Sequence, residues 1–192
     1  MLNDMLYKEV QDGSVVLKVY YDNDAENPRE WDNLSKMVCF HRRYSLGDKH
    51  NYRVFDYHSW EDLKKAIEKD NDVAVILPLY MYDHSGITIS TTPFSCPWDS
   101  CQIGWVYITK EDIRKEYNIK RVTKKYLEKA TKILLSEVKV YDDYLRGETY
   151  GFVLEKDGEE LDSCWGFYGG DFCTNGMKEQ IEKEYQPLVD AL

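Results

Sequence analysis

The chain has 192 residues with 35 acidic against 25 basic side chains, a formal charge of −10 and a sequence pI of about 4.9. A 43% apolar, 14% aromatic composition supplies a core, the length fits one domain over residues 1–192, and 11 Gly, 5 Pro and no fixed repeat exclude collagen-like, low-complexity and solenoid chains. No apolar run approaches the roughly 18 residues of a membrane span, and the Met1-Leu2-Asn3-Asp4 start lacks the basic and apolar regions of a secretory signal, so a soluble, cytoplasmic protein without a membrane partner is expected.

In chain order, the β-branched and aromatic run Ser14 to Tyr21 predicts a strand burying at least one face, ended by the polar run Asp22 to Pro28. Arg29 to Tyr57 shows no sustained period and reads as a long excursion with a short helix near Trp31 to Met37. Ser59 followed by Asp62 predicts an N-cap, because the hydroxyl can take an orphan N–H while the carboxylate faces the helix dipole. The helix then runs to about Lys69 with Leu63, Ala66 and Ile67 inward. Asp72 to Tyr80 is a nearly continuous apolar run, the mark of a strand covered on both faces, with Pro78 placing its far end at an edge or bulge. Asp83 to Gly86 reads as a turn into strands Ile87 to Thr92 and Ile103 to Thr109, together a mainly antiparallel meander. Thr109 with Asp112 caps a short helix through Tyr117, and Thr123 caps a long one to Arg146, stopped at Gly147, whose apolar stripe includes Leu127, Ala130, Leu134, Val138, Tyr141 and Leu145. Strands Tyr150 to Lys156 and Glu159 to Gly166 meet at an Asp157-Gly158 turn, and Asn175 to about Tyr185 closes the chain as a helix with Met177 and Ile181 inward. The sum is an α+β domain with helices packed on an antiparallel or mixed sheet.

There is no glycine-rich phosphate loop and no dinucleotide fingerprint, and the Asp22-x-Asp24-x-Glu26 start fails as a calcium loop because Asn27 and Asn33 occupy its glycine and bidentate-glutamate positions. No cofactor is indicated. Five cysteines, an odd number, suit reduced thiols rather than a disulfide framework. Cys39 and His41 with Cys96 and Cys101 are the candidate zinc ligands, though Cys39-x-His41 is too closely spaced for the usual knuckle. Asp83, His84, Cys96 and Asp99 offer the residue types of a small thiol- or metal-dependent hydrolase acting on a nucleotide or nucleic acid. Asp83, Asp99, Asp162 and Asp171 are candidate paired carboxylates, although turns also use Asp for backbone bonding. A blander alternative packs Trp98, Trp105 and Trp165 into a tightly specified core and leaves the surface unremarkable.

Charge is uneven along the chain: residues 1–109 sum to −6, residues 110–146 to +4 and residues 147–192 to −8. Asp22, Asp24, Glu26, Glu30 and Asp32 lie beside Tyr21 and Trp31, and Glu155, Asp157, Glu159, Glu160 and Asp162 surround the hairpin. Such surfaces repel nucleic acid and attract proteins built to bind it, because carboxylates on a rigid surface can stand in for phosphates. Asp22, Asp24, Glu26, Glu30, Asp32, Glu159 and Glu160 are therefore the expected partner-binding residues, with no direct nucleic-acid contact.

Several blocks carry a resemblance: Trp31-Asp32-Asn33-Leu34 with Met37 to Asp48, Asp83-His84-Ser85-Gly86-Ile87, Phe94 to Ser100, and Asp162 to Phe167. Over roughly residues 28–170 they resemble a family of small proteins carried by bacteriophages and other mobile elements. The resemblance implies a setting, work inside a bacterial host on behalf of an invading element, and brings no catalytic residues. By analogy of class, small acidic proteins of that setting act as anti-defence factors, including anti-CRISPR proteins and DNA mimics. The leading expectation is an inhibitor of a host defence nuclease, either a CRISPR effector such as Cas9 or a restriction enzyme, bound at its basic channel.

Overall fold

The computed structural model describes residues 5–192, so the Met1-Leu2-Asn3-Asp4 start lies outside the described residues. In chain order the strands are β1 Leu6–Asp12, β2 Val15–Tyr21, β3 Lys36–Cys39, β4 Val73–Asp83, β5 Ile87–Ser90, β6 Ser100–Thr109, β7 Thr149–Lys156 and β8 Glu159–Tyr168. The helices are α1 Trp60–Asp70, α2 Lys110–Glu116, α3 Lys124–Leu145, α4 Met177–Gln180 and α5 Gln186–Asp190. The chain is α+β, with every strand pair antiparallel and two four-stranded sheets in place of the single sheet expected. It divides into two compact units, Met1–Asn27 with Asp143–Leu192, and Pro28–Asp142 between them.

The first unit holds the sheet β1-β2-β7-β8. Period-2 alternation sends Leu17, Val19, Tyr150, Phe152, Leu154 and Phe167 to one face, where they are buried with Met177, Ile181, Leu188 and Val189 of the C-terminal segment. The expected hairpin forms, with Asp157 at φ 54° and Gly158 at φ 85°, the left-handed pair that a two-residue turn needs. The single helix expected from Asn175 to about Tyr185 is instead α4 and α5, separated because Ile181 is extended at ψ 137°.

The second unit holds the sheet β3-β6-β4-β5. Ser59 caps α1 as expected, accepting from Asp62 N at 3.1 Å, and Thr109 caps α2 in the same way. Helix α1 buries Leu63 and Ile67 with Val38, Trp105 and Tyr107, each buried aliphatic contributing about 1.5–3 kcal/mol. Ala130, Leu134, Val138 and Tyr141 of α3 are buried, and Asp142 Oδ1 accepts from Ile89 N at 2.8 Å, tying the helix to β5. The helix expected near Trp31 to Met37 is absent: a 3-10 turn spans Pro28–Glu30 and β3 follows at Lys36. The residues between turn from helix because Leu34 N and Ser35 N both donate to the Glu137 carboxylate, at 2.8 and 2.9 Å. Residues 73–78 of β4 are half-buried rather than covered on both faces, because β5 pairs only with Tyr80–Asp83. Trp105 alone of the three expected core tryptophans is buried; Trp98 is 89% exposed and Trp165 40%.

Candidate functional site

In the second unit, β3 and β4 both run antiparallel to β6, so their C-terminal ends meet the start of β6 at one end of the sheet. Three connections therefore emerge together: residues 40–59, 84–86 and 91–99. The base of the longest is fixed from within. Asp48 accepts from Met37 N at 2.7 Å and receives both Nε and Nη2 of Arg29, at 2.8 and 2.7 Å, while the Arg29 side chain is 3% exposed.

Asp83, His84, Cys96 and Asp99 do converge there. Asp83 ends β4 and its N–H donates to Asp99 O at 2.8 Å; His84 Nδ1 stands 3.4 Å from Asp99 Oδ2, and Cys96 Sγ 3.7 Å from that same oxygen. Arg43 pairs with the Asp83 carboxylate, and Ser100 Oγ closes a bond to Cys96 O. The order of the groups decides what they can do. A thiol nucleophile needs an imidazole to take its proton and a carboxylate behind that imidazole. Here the carboxylate is central, with thiol and imidazole both facing one of its oxygens, so the cluster reads as a hydrogen-bonded clasp between the end of β4 and the connection that enters β6.

The candidate metal ligands are not gathered into a site. Cys39 is buried, and burial followed by the Asp48 charge pushes its thiol up to about 12, away from the thiolate that zinc requires. His41 stacks on Tyr44 at 5.0 Å and 8°, and among the described residues no group of three or more His, Cys, Asp or Glu is placed to hold a metal ion. Of the other candidate carboxylates, Asp162 is exposed on β8, and Asp171 accepts from Cys173 N at 3.2 Å in a local turn.

The acidic candidates divide between the units. The first unit carries 18 acidic and 6 basic side chains, a formal −12, and the second 17 and 19, a formal +2. Glu30 and Asp32 are exposed in the second unit; Asp22, Asp24, Glu26, Glu159 and Glu160 belong to the first. Asp22 Oδ2 accepts from Gly166 N at 3.1 Å, and Glu26 O accepts from Tyr168 Oη at 2.6 Å, so the 22–26 turn is seated beside the C-terminal end of β8, while Glu159 and Glu160 begin the strand at its other end. Burial, then Asp22 and Glu26, push the Tyr168 phenol up to about 12. Strand β8 forms one edge of its sheet and is exposed from Glu159 to Ser163, a span of about 13–14 Å at the usual rise per residue.

The residues that sequence reasoning missed lie on the 40–59 connection. Arg42 and Arg43 line two adjoining grooves in the second unit. One, of about 810 Å³, also takes in Tyr44, Lys49 and Phe55; the other, of about 460 Å³, takes in Trp98 and Asp99. The available signal was compositional: three of the four His and four cations lie within residues 41–58, against two acids. Among the described residues no helix is long and apolar enough to cross a membrane. Neither a protein-family model, nor a curated protein, nor a solved structure matches the chain.

Proposed function

We propose that the chain is a binding protein of a bacteriophage or mobile element whose acidic unit docks on the basic nucleic-acid channel of a host defence nuclease and inhibits it. The observation that carries this reading is the segregation of charge: the first unit holds −12 of formal charge, with Glu159 and Glu160 at the start of β8 and the 22–26 turn pinned to its far end. Carboxylates held on a hydrogen-bonded sheet edge lose less conformational freedom on docking than the same groups on a tail, so more of the Coulomb attraction survives as affinity. A positive channel adds steering, since opposite potentials accelerate encounter and the effect falls with ionic strength. The sequence blocks that resemble mobile-element proteins supply the setting.

The test is DNA cleavage by a panel of purified CRISPR effectors and restriction enzymes from bacterial hosts, with the chain titrated in. Inhibition of at least one nuclease is expected, weakening more than tenfold in the Asp22→Lys, Asp24→Lys, Glu159→Lys, Glu160→Lys variant and weakening again between 50 and 300 mM salt. A panel left uninhibited, or equal potency of the reversed variant, sinks the proposal.

A further inference from the structure

Phe55 and Trp98 are 95% and 89% exposed, the two most exposed large apolar side chains in the described residues. Burying either ring would contribute about 1.5–3 kcal/mol, so loops that leave both in water leave contact area unused. They stand on different connections, yet both border grooves lined by Arg42 and Arg43, Phe55 the larger groove and Trp98 the smaller. Two bare aromatic faces thus flank one cationic strip.

The charge of that strip survives a tally of its neighbours. Asp48 is taken up by Arg29 and Arg43 by Asp83. Arg42 and Lys49 are exposed and have no ion pair among the described residues, while Arg53 and Asp56 border neither groove and offset one another in charge. Asp99 leaves one carboxylate in the smaller groove, 3.4 Å from His84 Nδ1, against the two unpaired cations. His41, stacked on Tyr44 beneath the arginines, has its pKa lowered by burial and then by Arg43, and adds an aromatic surface rather than a charge at neutral pH.

We infer that this end of the second unit is a binding groove for single-stranded nucleic acid, with Arg42 and Lys49 meeting backbone phosphates and Phe55 and Trp98 each stacking on a base. Every base has a π face, so such a surface tolerates any sequence, and stacking contributes about 1–3 kcal/mol per base. A duplex offers the phosphates and hides the base faces, so single strands are preferred. The chain's net charge of −10 does not oppose this, because the groove lies in the unit that carries +2. The inference stands apart from the docking of the acidic unit.

The experiment uses the full chain and fluorescein-labelled dT12 and rU12, followed by anisotropy at 50 mM salt with no protein partner present. Binding is expected with quenching of tryptophan emission, and a 12-base-pair duplex should bind at least tenfold more weakly. About two phosphate contacts imply a log–log salt slope near −1.4. Trp98→Ala and Phe55→Ala should each weaken binding roughly tenfold, and Arg42→Glu more than either; because all three side chains are exposed, the variants should keep the wild-type circular dichroism and thermal midpoint. No binding to either oligonucleotide overturns the inference, as does equal affinity for the duplex or affinity unchanged by the two aromatic substitutions. Since no nuclease enters this assay, its failure leaves the inhibitor reading untouched, and failure of the nuclease assay leaves this one untouched.

Discussion

His41 lies flat on Tyr44, and burial, followed by Arg43, lowers its pKa below the usual 6.5. The unfolded chain takes up the imidazole proton near pH 6.5 and the folded chain only at lower pH, so in that window the unfolded state binds more protons. Stability contributed by neutral His41 is present above pH 6.5 and lost as pH falls through the folded pKa. Thermal midpoints at pH 7.5 and pH 5 should therefore fall further in the wild type than in His41→Gln, and equal falls would refute it. At this scale the sequence offered Asp83, His84, Cys96 and Asp99 as candidates by residue type but left open whether they meet; they do because the turn after β4 and the 91–99 connection into β6 come together at one end of the sheet. It could not disclose their order around Asp99, which depends on side-chain rotamers. Nor could it show Trp98 in solvent: an apolar pattern scores tryptophan as core, and only the placement of its loop distinguishes a platform from a plug.

Among the elements, caps and strong turns were the most legible. Ser59, Thr109 and Asp157-Gly158 act through bonds or dihedrals spanning a few residues, and all three form where expected. Elements settled by distant partners were not legible. Strand β3 is four residues long, too short to show a period, and its place is set by pairing with β6. That pairing depends on Gly104, where an added Cβ would lie 1.9 Å from Val38 O and 2.9 Å from Val38 C, both backbone atoms that cannot rotate aside. Gly104→Ala should cost about 3 kcal/mol by forcing β3 from β6, and urea denaturation followed by tryptophan emission measures it; a cost under about 1 kcal/mol would mean the strands yield freely. Similarly, the helix expected near Trp31 lost its backbone donors to Glu137, more than a hundred residues later.

For the whole molecule, the segregation of charge was half visible. The acidic flanks and basic middle could be counted, but the boundaries at Asn27 and Asp142 carry no proline-rich or glycine-rich linker to mark them. A unit with 18 acids against 6 bases repels itself, and added salt screens that repulsion. Raising NaCl from 10 to 300 mM should lift the thermal midpoint by a few °C, and the lift should shrink in the four-residue charge-reversal variant; a flat response would mean that the acids are already neutralised locally. The connectivity bears on how the protein is made. Strands β2 and β7 are hydrogen-bonded neighbours, Tyr21 opposite Tyr150, although the whole second unit intervenes in the chain. During synthesis, at about 5–20 residues per second, residues 28–142 emerge before β7 exists. The nucleic-acid groove can thus fold on the ribosome while β1 and β2 wait as a bare hairpin, and the acidic unit is assembled last, only when the strands that complete its sheet have left the tunnel.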